Sequence, residues 1–299
     1  MQRKSLMNAM IKAFYHTDTS TISYVVYDKQ GGHAAIVDSV LDFAAHSGKV
    51  WTAFADQQLA FIKEQQLTVD WILETHAHAD HLSAAHYLRE QLGSPIGVGE
   101  GIIKVQKTFK AVFNIGDDEL MADGQVFDHL FKDGEVFTIG ALTGKVMSTP
   151  GHTNDSVTYL IEGNAFVGDT LFMPDGGTAR CDFPGGDAGV LYDSVSRLHS
   201  LPAETRLWMC HDYQPDGREL AYVTTVAESR SHNIHIHQGV DKDAFIQVRQ
   251  ARDKHLDVPK LLYPSVQVNI RCGHLPAAES NDTAYIKIPL ILERSSQAD

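Results

Sequence analysis

The chain has 299 residues, of which 43% are hydrophobic and 21% charged, and a formal net charge of −13. That composition supplies ample core, and a surface this acidic argues against nucleic acid as a partner. No apolar run is long enough to span a bilayer, so no membrane partner is expected.

Three cysteines, Cys181, Cys210 and Cys272, are odd in number and fit no metal-type spacing. They predict a reducing compartment without a disulfide framework, and a cytoplasmic location. Met1 to Tyr15 is basic at its start but has no apolar core or small-residue cleavage site, so no export signal is expected there.

In chain order, Thr21 to Tyr27 (TISYVVY) is β-branched and aromatic and predicts a strand. A turn at Lys29 to Gly32 returns the chain through a second strand, His33 to Val40. Asp56 is a candidate cap for a helix with Leu59, Phe61 and Ile62 on its apolar side. Trp71 to Thr75 is a short strand running into a histidine cluster, and Leu82 to Leu92 predicts a helix ended by Gly93 and Pro95.

Residues 101–135 are ambiguous: Lys107 to Phe113 suits helix or strand, and Asp117 to Gly124 is acidic and loop-like. The segment is expected to be an excursion near the site. Val136 to Ile139, Gly144 to Ser148, Ser156 to Ile161 and Ala165 to Val167 follow as strands. Asp187 caps a helix carrying Val190, Leu191, Val195 and Leu198. Arg206 to Cys210 is a strand with His211 at its end, and the chain turns mostly helical after Asp241. Alternating strands and helices, with ligand-type residues in both halves, predict an α/β chain folded as one domain over 1–299.

The strongest chemical feature is His76-x-His78-x-Asp80-His81, four potential ligands within six residues after a strand. Ala77 and Ala79 let that loop fold tightly, and mixed imidazole and carboxylate suits zinc, iron or manganese. Thr149-Pro150-Gly151-His152-Thr153 presents His152 after a sharp turn. Gly168-Asp169-Thr170 and His211 complete the set, each at a strand end. His232, His235 and His237 form a second cluster, but no carboxylate or cysteine stands at ligand spacing, so a loop or helix start is expected there. Arg249, Arg252 and Lys254 are expected on a solvated helix face.

This order of motifs resembles the metallo-β-lactamase superfamily from about residue 20 to about residue 275. The resemblance implies a four-layer αββα sandwich with its metal site at one edge. It also implies that His76, His78 and His152 can form one metal site and Asp80, His81 and His211 another, with Asp169 between them. Finer features are similar to the persulfide dioxygenases, relatives of the glyoxalase II thioesterases. These are Thr75 to His81 (THAHADH), Gly177 to Phe183 (GTARCDF), His211-Asp212-Tyr213 and Asn269 to Gly273 (NIRCG).

That likeness implies one Fe(II) on His76, His152 and Asp169, with His78, Asp80, His81 and His211 as an outer shell or second metal site. It implies oxidation of glutathione persulfide by O2 to sulfite and glutathione. Tyr213 is a candidate for hydrogen bonding at the reacting atoms, or else a structural tyrosine. Arg180 and Arg271 are candidates for binding substrate carboxylates, with Asp182 holding Arg180 or a turn. The alternative is a glyoxalase II-like hydrolase with one or two zinc ions, since every second-site ligand type is present. A sensor using the fold only for binding is a third reading, disfavoured by the intact ligands. The segment 101–135 resembles the longer bacterial branch and could reshape the thiol groove. No sulfurtransferase extension and a possible homodimer complete the expectations.

Overall fold

In a computed structural model, residues 8–290 and residue 292 are described. Residues 1–7, part of the segment read for an export signal, lie outside them. The first half of the chain runs β1 Met10–His16, β2 Thr21–Tyr27, β3 His33–Val37, β4 Val40–Ala44, β5 Lys49–Trp51, α1 Ala53–Glu64, β6 Thr68–Leu73, β7 Leu82–Ser83, α2 Ala85–Leu92, β8 Ile96–Gly99, α3 Ile102–Val112 and β9 His129–Phe131. The second half runs β10 Val136–Ile139, β11 Leu142–Ser148, β12 Val157–Ile161, β13 Asn164–Phe166, α4 Ala188–His199, β14 Arg206–Trp208, β15 Val223–Thr225, α5 Val226–His232, α6 Lys242–Asp253 and α7 Leu262–Asn269.

Two six-stranded sheets, β1-β2-β3-β6-β8-β9 and β10-β11-β12-β13-β14-β15, face each other, and a small sheet β5-β4-β7 lies beside them. All seven residues of β2 are buried because both faces of its sheet are covered. Tyr24 and Val26 point into the layer between the sheets, with Phe137, Val146, Tyr159 and Phe166 of the second sheet. Their neighbour Val25 points the other way, toward Phe54, Ile62, Leu88 and Phe109 of α1, α2 and α3. On the far side, Ala165 and Leu207 pack on Leu191 and Val195 of α4 and Phe245 of α6. The layers are therefore helix, sheet, sheet, helix, as expected.

Several elements differ from the sequence reading. The strand expected over His33 to Val40 breaks after Val37, because Asp38 takes a left-handed backbone with φ 52°. Short polar residues tolerate that conformation best. The helix expected from Leu82 starts only at Ala85. Leu82 and Ser83 pair with β4, and the Ser83 hydroxyl accepts from the Ala85 N–H. Asp56 is not the cap of α1; Thr52 occupies that place, and Asp56 accepts from the hydroxyls of Thr52 and Tyr87. β1, α5 and α7 had no counterpart in the sequence reading.

Residues 101–135 lie near the site as expected, with Ile102 and Phe127 lining a small cavity beside His76, but they are packed core rather than an excursion. Ile102, Val105, Phe109, Ile115, Leu120 and Phe127 are buried in the core under the first sheet, and β9 extends that sheet in parallel with β8. Other expectations match the structure: Gly93 closes α2 in a left-handed cap, and Asp187 and Asp241 accept from the third helical N–H of α4 and α6. All three cysteines are free and buried. Burial pushes the Cys181 thiol up to about 12, which suits an inert side chain.

A candidate metal centre at the strand ends

Strand register gathers the site. β3 and β6 are parallel with Val37 opposite Leu73, so the residues that follow, Asp38 on one side and Glu74 and Thr75 on the other, leave the sheet together. β13 and β14 are parallel with Phe166 opposite Trp208, which puts Asp169 and His211, each three residues further on, side by side. The two sheets are joined here: the Val157 N–H donates to Thr75 O, and the Ile22 N–H to Cys210 O. Two glycines are needed for this geometry. Gly151 has φ 136°, and a Cβ there would lie 2.4 Å from Leu191 backbone atoms. A Cβ on Gly168, with φ 52°, would lie 2.6 Å from Thr75 Oγ1.

The histidines and aspartates form two groups. In the first, His76, His152 and Asp169 bring one ligand atom each within 4.8 Å of one another. Asp169 Oδ2 is 3.9 Å from His76 Nε2 and 3.7 Å from His152 Nε2. In the second, the same criterion joins His78, Asp80, His81 and His211. Asp169 stands between the groups, with Oδ1 3.4 Å from His211 Nε2. His78 departs from the arrangement that the resemblance implies, since it does not join His76 and His152. Its Nε2 points at Asp38 Oδ1, 3.1 Å away, and at Glu74 Oε2, 3.4 Å away.

The other ring nitrogens are set by hydrogen bonds on the far side. His152 Nδ1 donates to the Arg180 carbonyl at 2.7 Å, which leaves Nε2 as the free lone pair. Thr75 gives its hydroxyl proton to Asp38 Oδ2 and receives His76 Nδ1–H at 3.0 Å, with the same result for His76. His211 Nδ1 donates to Ser20 O at 3.2 Å. What remains are buried atoms with no hydrogen-bond partner: Nε2 of His76, His81 and His211, Nδ1 of His78 and Oδ1 of Asp169. Buried polar atoms are almost always paired, so a converging set of orphans fits a bound cation. The residues present therefore suit a metal ion.

Electrostatics agree. Burial, reinforced by His78 and His152, holds the His76 imidazole well below its usual pKa, and burial with His78 pushes His81 down to about 4. Both are neutral, as metal ligands must be. Burial disfavours charge on His78, but the Asp38 carboxylate overrides it and lifts its pKa well above normal. Burial likewise opposes charge on His211, where Asp169 and Asp80 prevail and raise its pKa.

A cleft of about 330 Å³ opens onto the first group, lined by His152, Asp169, Phe172, Arg180, Arg252 and Tyr213 among others. A second cleft of about 490 Å³ reaches Asp80 and His81 from the side of His16 and Lys260. Asp80, Tyr213 and Pro259 line both clefts, so Tyr213 stands in the wall between them. Its ring stacks on His211 with centroids 5.6 Å apart, and the residue is 60% exposed. Segment 101–135 lines neither cleft.

Arg180 lies on the wall of the first cleft with Nε and Nη2 on the Asp182 carboxylate, at 2.6 and 2.7 Å. Its guanidinium also donates to the carbonyls of Asp257 and Leu256, so most of its donors are committed within the chain. Arg271 is not brought to the cleft. It is buried, donates to Gln267 O and lies 3.4 Å from Glu119, because α7 turns it toward the first helical layer. The solvated face expected at Arg249, Arg252 and Lys254 holds only in part. Arg249 is 2% exposed, paired with Asp253 and donating to Thr178 O. Arg252 is exposed at the cleft and makes no ion pair among the described residues. His232, His235 and His237 do not converge: His232 faces Glu228, buried His235 accepts from the Thr178 N–H, and His237 donates to Gln238 O.

Sequence reasoning missed Asp38 and Glu74. Neither stands in a recognisable motif, and only the parallel register of β3 and β6 brings Asp38 under the histidine loop. No helix among the described residues is long and apolar enough to cross a membrane.

The sequence profile of the metallo-beta-lactamase superfamily matches residues 16–211. A relative named probable metallo-hydrolase from Burkholderia pseudomallei is 49% identical over 94% of this chain and 98% of its own length. The persulfide dioxygenase ETHE1 of Mus musculus is 27% identical over 88% of this chain and 89% of its own. The solved structure of ETHE1 from Myxococcus xanthus superposes with a TM-score of 0.70 at 30% identity, covering 89% of this chain and all of that one. With the profile spanning well over half its length and all the ligand positions, the chain belongs to the metallo-beta-lactamase superfamily.

Proposed function

We propose that this protein is an iron dioxygenase that oxidises a thiol persulfide, glutathione persulfide as the first candidate, to sulfite and the parent thiol. The observation that carries the reading is the division of labour among the histidines. His76, His152 and Asp169 offer two imidazoles and one carboxylate from one side, while His78 Nε2 is spent on Asp38. Two histidines and a carboxylate leave open positions, and iron held there would supply those positions and the electrons that activate oxygen. The likeness to the ETHE1 proteins supports the same reading.

The chain's own residues supply binding and orientation. Thr75 and the Arg180 carbonyl aim His76 and His152. Arg180 and Arg252 line the cleft and favour an anionic thiol, with Arg252 the one less committed to the protein. Phe172, Phe183 and Tyr213 give the cleft apolar walls that limit water. The balance is one persulfide, one O2 and one water giving one thiol, one sulfite and two protons.

A metal-dependent hydrolase is the second reading. The group His78, Asp80, His81 and His211 favours it, because a second cation there would complete a dinuclear site. The deciding experiment is oxygen uptake on adding glutathione persulfide to the ferrous-reconstituted protein, with sulfite and metal content measured. Matched oxygen loss and sulfite with about one iron per chain supports the dioxygenase. No uptake with iron bound, and hydrolysis of an acyl-glutathione at near two metals per chain, moves the assignment to the hydrolase.

A further inference from the structure

Two loops frame the mouth of the first cleft. One, between Leu171 and Ala179, carries Phe172; the other, between His211 and Leu220, carries Tyr213. Their rings meet edge to face with centroids 5.9 Å apart, directly above His211. Neither loop has regular secondary structure beyond short turns at Pro174–Gly176 and Pro215–Gly217. In the second loop Gln214 and Asp216, neither a glycine, hold left-handed backbones with φ 46° and 57°. A loop built this way keeps its shape only if contacts around it do.

One side chain reaches both loops. Arg218 Nη1 and Nη2 each donate to the Asp212 carboxylate at 2.7 Å. Its Nε and Nη2 donate to Asp175 in the other loop, at 2.5 and 3.0 Å. Asp212 is itself buried, sits between His211 and Tyr213, and also accepts from the N–H of Ala221 and Gln214. The Gln214 side chain donates back to Arg218 O. A planar guanidinium can serve two carboxylates at once in a way that an ammonium cannot.

We propose that Arg218 is a positioning residue that ties the Phe172 loop to the Tyr213 loop and so sets the aperture of the substrate cleft and the wall between the two clefts. Among the described residues its side chain donates to Asp212, Asp175 and Glu219 O, and it acts through Asp212 and Asp175. Its effect on turnover rests on the dioxygenase reading; its effect on the loops does not.

The test uses the full-length, metal-loaded protein with the variants Arg218→Ala, Arg218→Lys and Asp175→Ala, read first by amide hydrogen exchange. Arg218→Ala should speed exchange in both loops, and Asp175→Ala in residues 171–178 alone, with metal content unchanged. Arg218→Lys should behave like Arg218→Ala. In turnover, Arg218→Ala should raise KM for the persulfide by about three- to ten-fold, with kcat within about two-fold. Unchanged exchange in residues 171–178 for Arg218→Ala, or full recovery with lysine, overturns the clamp. If Arg218→Ala fails to fold, Asp175→Ala, on an exposed side chain, decides by the same exchange readout. If the unmodified protein consumes no oxygen, the dioxygenase reading fails while hydrogen exchange still judges the clamp.

Discussion

His78 Nε2 lies 3.1 Å from Asp38 Oδ1, and neither residue is more than 3% exposed. Asp38 also takes the N–H and the hydroxyl of Thr75 at 2.7 and 2.9 Å. One carboxylate, in a left-handed backbone, therefore fixes both ends of the stretch from Thr75 to His78 and decides which way each imidazole faces.

Asp38→Ala should strip that support. Removing one partner of a buried charged pair typically costs about 3 to 5 kcal/mol. We expect a clear fall in Tm and loss of bound metal, measured by thermal unfolding and elemental analysis. A variant with unchanged metal content and Tm would show that the histidine loop holds itself.

The two groups of ligands should separate by mutation. His152→Ala or Asp169→Ala should remove metal and activity together, because each supplies one of the three atoms of the first group. His78→Ala should keep about one metal per chain, since its Nε2 faces Asp38 rather than His76 or His152. Full loss of metal in His78→Ala would place it among the ligands of the first group.

Two arginines on the same cleft should behave differently. Arg252→Ala removes an exposed guanidinium with no ion pair among the described residues, so KM for an anionic thiol should rise with Tm unchanged. Arg180→Ala should raise KM and also lower Tm, because Arg180 bonds Asp182 and the carbonyls of Leu256 and Asp257. Steady-state kinetics and thermal unfolding check both; an unchanged KM for Arg180→Ala would make that residue purely structural.

Stability should depend on pH through His235. Burial, aided by Arg249 and Arg252, pushes its imidazole pKa down to about 4. Between about pH 6.5 and 4 the unfolded chain binds a proton there that the folded chain does not. Acidification through that window therefore favours unfolding, and the stabilisation present above about pH 6.5 is lost toward pH 4. His235→Gln should reduce proton uptake on unfolding by about one near pH 5, as measured from the slope of stability against pH.

Much of the fold was legible locally. β-Branched and aromatic residues marked β2, Asp187 and Asp241 marked helix starts, and Gly93 marked a helix end, because each signal lies within a few residues of what it specifies. The ligand-type residues were legible too, as a dense motif and three strand-end positions. Residues 101–135 were misread, since α3 and β9 become core only when covered by elements distant in the chain.

The sequence by itself determined which side chains can hold a metal and that each follows a strand. Tertiary structure alone decided how they divide. His78 turns from His76 because Asp38, forty residues earlier, arrives beside it through the parallel pairing of β3 with β6. Arg249 is buried because Thr178 O meets it from 71 residues away. Arg218 acquires a role because Asp175, 43 residues earlier, folds back to share its guanidinium. Such partners are set by strand register and loop packing, and no local pattern encodes them.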